Sequence, residues 1–387
     1  MIDAFSKLDF SQLPSPCHLL HRGLLERNCR TLGNVARRTG CKILLALKAF
    51  AQFSEFDLIR RHLDGTTASG LHEALLGHEK FGGEVHVYSP AFKDDELEQL
   101  LPVADHIIFN HPAQWQRHRA RIARAPRPIS CGLRANPEYA EIPTPLYNPC
   151  APHSRLGATR AEIHDPAALD GLDGLHFHTL CEQDSDTLAR TLPHFEEKFG
   201  DLIPRMKWIN LGGGHHITRP GYNIELLCHT LTRFREKWGD RHTLYLEPGE
   251  AVALRTGVLV STVLDIHHNG LPIAILDTSA TAHMPDTLEM PYRPEILGAG
   301  APGEHAHTYR LGSATCLAGD IMGDYSFPRA LRRGDKVVFL DMSHYTMVKN
   351  TTFNGINLPA IVTYHPDTGE YRTVRQFGYA DYKNRLS

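Results

Sequence analysis

Lys42-Ile43-Leu44-Leu45-Ala46-Leu47-Lys48-Ala49-Phe50 decides how the rest of the chain reads. Apart from Lys42 at its edge it is a short apolar run, bounded upstream by Thr39-Gly40. That is the pattern of a strand buried on both faces. Lys48 stands where the strand gives way to a loop. A lysine there is costly unless it is paired or chemically used, and the plain alternative is an ammonium that reaches water. The stretch alone favours the solvated lysine; its surroundings reverse that preference.

Downstream the chain alternates. Strand patterns at Lys42–Leu47, Gly65–Ser69, Glu84–Tyr88, His106–Phe109, Ile129–Arg134, Gly174–His178, Trp208–Leu211 and Thr243–Glu247 are separated mostly by helical ones. The helical patterns include Phe56–Leu63, Glu73–Phe81, Asp94–Leu101, a basic Ala113–Ile122 with a solvated face, Asp186–Phe199 and Ile224–Trp238. Eight such units over about 205 residues fit a (β/α)8 TIM-type barrel. With a helical pattern at 23–39, the barrel is expected over residues 23–250. Residues 1–22, with Pro14, Pro16 and an extended His18-Leu19-Leu20, read as a lead-in segment packing with a second domain. From Ala251 the texture turns β-rich, at Val258–Leu264, Ile273–Asp277, Lys336–Leu340, Ala360–Tyr364 and Tyr371–Val374, with Thr368-Gly369 as a hairpin turn. Residues 251–387 are therefore expected to form a C-terminal β domain.

With 387 residues, 22% charged and 42% hydrophobic, the composition is that of an ordinary globular protein. A net charge of −3 gives no electrostatic case for nucleic acid or an anionic membrane. No apolar run approaches the ~20 residues of a membrane span, and Met1–Phe10 lacks a signal-peptide core. Eight scattered cysteines without a CxxC pair read as reduced thiols of a cytoplasmic protein. The 25 histidines include His176-Phe177-His178, His215-His216 and His267-His268, but no Cys or carboxylate joins them at a recognised ligand spacing, so no metal is expected.

Function in such a barrel gathers at the C-terminal strand ends. Lys48 ends the first barrel strand, His178 the sixth and Glu247 the eighth, while Gly212-Gly213-Gly214 follows the seventh. Each has a plain alternative: a tight turn for the glycines, an ion pair for Glu247, a hydrogen-bonded core residue for His178. Together they are what pyridoxal phosphate requires. A lysine bonds its aldehyde, backbone N–H groups of a glycine loop approach its phosphate, a carboxylate keeps its pyridine nitrogen protonated, and an imidazole stacks on its ring.

At this point the chain resembles the alanine racemase-like group of pyridoxal phosphate enzymes (fold type III), which includes ornithine and diaminopimelate decarboxylases. Within the group it is most similar to the carboxynorspermidine/carboxyspermidine decarboxylase family. The segments that carry this are Lys42–Ala51 (KILLALKAFA), Tyr147–Gly157 (YNPCAPHSRLG), Gly174–Glu182 (GLHFHTLCE), Leu211–His216 (LGGGHH) and Glu247–Ala251 (EPGEA). In the second domain they are Asp277–Pro294, Ala314–Asp320 (ATCLAGD) and His344–Gly355 (HYTMVKNTTFNG).

The resemblance implies decarboxylation of a small polyamine precursor, carboxynorspermidine or carboxyspermidine, in a homodimer with shared active sites. It implies Lys48 as the lysine bonded to the cofactor, His178 on its ring, Glu247 at the pyridine nitrogen, Gly213, Gly214 and Tyr345 at the phosphate, and Arg134 close by. Cys316 would come from the neighbouring subunit and protonate Cα once carbon dioxide has left; a buried small hydrophobe is its plain alternative. The ornithine and diaminopimelate enzymes carry an arginine after Glu-Pro-Gly, where this chain has Glu250. A carboxylate there suits a substrate bearing several charged amines. Glu250 and Asp286, then Asp277 and Asp320, are the expected amine ligands, and Arg155 the expected ligand of the substrate carboxylate. A decarboxylase of diaminopimelate or ornithine type and an amino-acid racemase are the rival readings.

Overall fold

The structure is a computed structural model that describes residues 2–387. The chain divides into two compact units, one of residues 26–252 and one of residues 1–25 with 253–387.

The first strand in chain order, β1 (Cys17–His21), belongs to the second of these units. The next eight are β2 (Lys42–Ala46), β3 (Gly65–Ala68), β4 (Glu84–Tyr88), β5 (His106–Phe109), β6 (Ser130–Arg134), β7 (Gly174–His176), β8 (Trp208–Asn210) and β9 (Thr243–Leu246). They form a closed barrel of parallel strands in sequence order, with β9 closing on β2 through Lys42 opposite Tyr245. The apolar strand runs are buried as a barrel core requires, Ile43 to Leu45 and Ile107 to Phe109 completely.

The barrel end where the strands begin is filled. Lys42 pairs with Glu84, whose second oxygen accepts from Tyr245 Oη at 3.0 Å, and His86 stacks on His106 at 3.9 Å. The Trp208 ring lies where a Cβ on Gly132 or Gly174 would be, so glycine on β6 and β7 is what lets the indole into the barrel. Ligand access is left to the opposite end.

Two helices are shorter than their pattern suggests. Of Phe56–Leu63 only the four residues Phe56–Ile59 are α-helical, preceded by a 3-10 turn, Phe53–Glu55. Leu71–Leu76 is α-helical and then widens into a π turn, Gly77–Phe81, which stops at left-handed Gly82.

The second unit is built on a sheet ordered β13-β12-β11-β10-β1-β15-β16, with β14 also paired to β10. Its strands are β10 (Gly257–Asn269), β11 (Leu271–Leu276), β12 (His307–Ser313), β13 (Ile321–Phe327), β14 (Lys336–Leu340), β15 (Ala360–His365) and β16 (Glu370–Arg375). The lead-in strand β1 is interior, antiparallel to β10 and parallel to β15. One core gathers Leu259, Leu276, Leu311, Tyr325 and Phe339, another Cys17, Leu19, Val258, Val338 and Val362. β12 and β13 have no counterpart in the sequence reading.

Candidate active site

A cavity of about 470 Å³ opens at the C-terminal ends of the barrel strands, lined by Lys48, Tyr88, Arg134, Arg155, His178 and Glu247 among others. Residues 145–149, 151 and 153–156 form part of its wall.

β2 delivers Lys48. Leu47 N still bonds Thr67 O, and the N–H groups of Ala49 and Phe50 turn back to Ala46 O, so Lys48 sits on a tight bend with its ammonium accessible in the cavity. No hydrogen-bond or ion-pair partner holds Nζ among the described residues. The surrounding protein and the Arg134 guanidinium push its pKa down, partly opposed by Glu247 and Glu73.

Glu247 is 7% exposed. Burial alone would favour its neutral form, but His176, with Nε2 at 3.2 Å, and after it the hydrogen bond from Asn210 Nδ2 (2.7 Å) reverse this and hold it well below the ordinary carboxylate range. His176 is itself buried and pushed toward its neutral form, so it stabilises the carboxylate as a neutral N–H donor. Asn210 also accepts from Gly212 N at 2.9 Å, and Gly212 O accepts from Glu247 N at 2.8 Å. Carboxylate and glycine loop are thus one hydrogen-bonded piece.

His178 Nδ1 accepts from Gly213 N at 2.9 Å, which places the proton of the neutral ring on Nε2. Burial, then Lys48 and Arg134, keep this imidazole uncharged. Gly214 has φ +83, and a Cβ there would overlap Leu180 O, so the loop needs glycine both for its backbone angle and for the approach. Arg134 packs over the Tyr88 ring, 4.5 Å to the centroid, and donates to His178 O at 3.3 Å.

The barrel therefore brings Lys48, Arg134, Arg155, His178 and Glu247 to one cavity, with Gly213 and Gly214 adjoining through His178 and Glu247. Glu250, which begins the helix Glu250–Ala253, lies off the cavity wall with its Oε1 3.1 Å from His216 Nε2.

The remaining expected residues belong to the sheet unit. Cys316 is exposed, its backbone N bonded to Asn354 Oδ1, and it is the one exposed thiol of the eight; the others are buried or half-buried. Tyr345 occupies left-handed backbone, φ +46, in the loop after β14. Asp286 is paired with Lys349 at 2.5 Å.

Asp277 and Asp320, also expected as amine ligands, both accept hydrogen bonds from residues of their own unit. Asp277 accepts from Ser15 Oγ (2.6 Å), Ser261 Oγ (2.7 Å) and Thr262 N (2.8 Å). Asp320, 3% exposed, accepts from Ser279 Oγ, Thr281 N and Thr315 Oγ1. It thereby fixes the loop that carries Cys316.

Tyr88, His176 and Asn210 were not among the expected site residues. The signal for the last two was available: an imidazole and an amide inside otherwise apolar barrel strands must have partners.

The geometry agrees with what the chain is similar to. The family model for pyridoxal-dependent decarboxylase, C-terminal sheet domain, matches residues 52–343. The chain is 44% identical to a carboxynorspermidine/carboxyspermidine decarboxylase of Campylobacter jejuni, covering 97% of this chain and 99% of that one. It is 45% identical to a carboxyaminopropylagmatine decarboxylase of a Synechocystis species, covering 97% and 96%. A crystal structure of carboxynorspermidine decarboxylase complexed with norspermidine, from Campylobacter jejuni, superposes with a TM-score of 0.89 at 43% identity, covering 96% and 100%. A diaminopimelate decarboxylase of Helicobacter pylori shares the fold, with a TM-score of 0.82 at 16% identity.

Proposed function

Since this chain belongs to the pyridoxal-dependent decarboxylase family, we propose that it releases carbon dioxide from carboxynorspermidine or carboxyspermidine, giving norspermidine or spermidine. The observation that carries the reading is the cavity itself: a lysine without a partner among the described residues and a buried, ionised carboxylate line the same space. The donor set fits pyridoxal phosphate, with an amine for its aldehyde, a carboxylate for its ring nitrogen and a glycine loop whose Gly214 site tolerates no side chain.

When bound, the cofactor supplies an electron sink for the pair left as the Cα–carboxylate bond breaks. The chain does the rest. Lys48, with its pKa pushed down, provides an amine with a larger uncharged fraction. Glu247 holds a proton at the ring nitrogen, while Asn210 and His176 hold Glu247. His178 offers a neutral face, and Arg134 and Arg155 supply positive charge at the cavity wall. Gly213 and Gly214 present backbone at the phosphate, helped by Tyr345.

Cys316 or Lys48 returns a proton to Cα. The exposed Cys316 suits a thiol completed by a second copy of the chain, so the working unit in this reading is a homodimer. The substrate's ammonium groups then fall first to Asp286, whose present partner is Lys349, ahead of Glu250 off the cavity wall. In the same reading residues 23–250 are the cofactor barrel, and 251–387 with the lead-in segment are the β domain. No helix is long and apolar enough to cross a membrane among the described residues, and we place the enzyme in the cytoplasm.

The Synechocystis relative supports a second substrate, carboxyaminopropylagmatine, at similar identity. Carbon dioxide release from all three compounds, by wild type and Lys48→Ala, is the test. Release that needs Lys48 establishes the reaction, and the preferred compound settles the substrate. Cofactor binding without release from any of the three sinks the substrate reading.

A further inference from the structure

We infer that Glu182, His216 and Glu250 form a binding site for a first-row divalent transition-metal ion beside the glycine loop. The three donors come from the loops that follow β7, β8 and β9, and their ligand atoms all lie within 4.8 Å of one another. None of the three lines the cavity.

The decisive member is His216. Its side chain is 7% exposed, and neither ring nitrogen makes a hydrogen bond. An imidazole so buried ordinarily finds a partner. Nε2 is 3.1 Å from Glu250 Oε1, close but without hydrogen-bond alignment. Ligand atoms that share an ion at bond lengths of ~2.1 Å lie about 3.0–3.4 Å apart, so this spacing is that of two neighbours in one coordination shell. The backbone sets the arrangement before any ion arrives: His216 N bonds Gln183 O at 3.1 Å and Gln183 N bonds Gly214 O at 3.0 Å, fixing two of the three loops to each other. Glu182 is exposed and gives the ion a way in.

One imidazole and two carboxylates suit Zn²⁺ above Mn²⁺. An ion there ties together the loops that carry His178, the glycine triplet and Glu247, and it makes Glu250 a metal ligand and not a substrate ligand.

The other cluster with comparable donors, Glu84, His86 and His106, does not qualify. Its imidazole planes are parallel within 10° at 3.9 Å, so one ion cannot lie in both ring planes, and Glu84 is already paired with Lys42.

The test uses holoenzyme freed of metal by a chelator, titrated with zinc chloride or manganese chloride by calorimetry. Wild type is expected to bind one zinc ion per chain, more tightly than manganese, with at least tenfold weaker binding in Glu182→Gln and in His216→Ala. A wild type that binds neither ion overturns the proposal, as does undiminished binding by both variants. Should the variants fail to fold, wild-type crystals soaked in zinc chloride decide: an anomalous peak between the three side chains supports the site, and a map without one overturns it.

Discussion

At the scale of single residues the site depends on how Glu247 is kept ionised in a buried place. Asn210 and His176 do this by donating to its two oxygens. Asn210→Ala removes one donor to the charged form, so the Glu247 pKa rises. Glu247 starts at about 2, so a rise of about one unit leaves it ionised at neutral pH, and the kcat profile between pH 5 and 8 is expected to keep its wild-type shape. Glu247→Gln keeps the shape and removes the charge, and kcat is expected to fall on the order of 10²–10³-fold with the fold intact by circular dichroism. Lys48, His178 and Glu247 were legible in the sequence because a charged or imidazole side chain closes an otherwise apolar strand at each. The surroundings of Asp277 and Asp320 were not legible, because a sequence shows a carboxylate but not the serine and threonine hydroxyls that fold onto it from distant segments, Ser15 and Ser279 among them.

At the scale of elements, the barrel strands could be read because strands buried on both faces are short continuous apolar runs. β12 and β13 could not. Their sequences mix Arg310, Asp324 and glycine among the apolar positions, and the Arg310–Asp324 pair that makes this sensible forms only across the two strands. β1 was legible as extended but not as interior, since pairing with β10 and β15 joins residues more than 200 positions apart. A tight packing constraint sits on β6 and β7, where Gly132 and Gly174 admit Trp208. Gly174→Ala forces the added methyl into the indole, and a loss of about 1–3 kcal/mol is expected from urea unfolding. An alanine at open Gly270 is the control for steric overlap, since a Cβ there meets no atom within 4 Å and only its left-handed backbone is strained.

At the scale of the whole molecule, buried histidines set the response to acid. His18, His215 and His283 each have a pKa pushed down to about 4, chiefly by burial, against an ordinary 6.5. The unfolded chain therefore binds more protons below pH 6.5, and folded stability, full above that value, falls as pH drops toward 4. At pH 5 each histidine costs about 2 kcal/mol on this basis. The urea midpoint is expected to drop between pH 7 and pH 5, and less steeply in His18→Gln. If active sites are completed across a dimer, mixing Lys48→Ala with Cys316→Ala restores roughly a quarter of wild-type decarboxylation, one intact site in each mixed pair. Mixtures that stay inactive count against the shared site. The distribution of sulfur also hands the experimenter a native reporter. Five of the other thiols are buried, and half-buried Cys150 and Cys181 are pushed up to about 11 by burial, so one equivalent of a maleimide dye should tag position 316 first without engineering. If a second copy covers that thiol, the speed of tagging on dilution becomes a clock for the parting of the two chains.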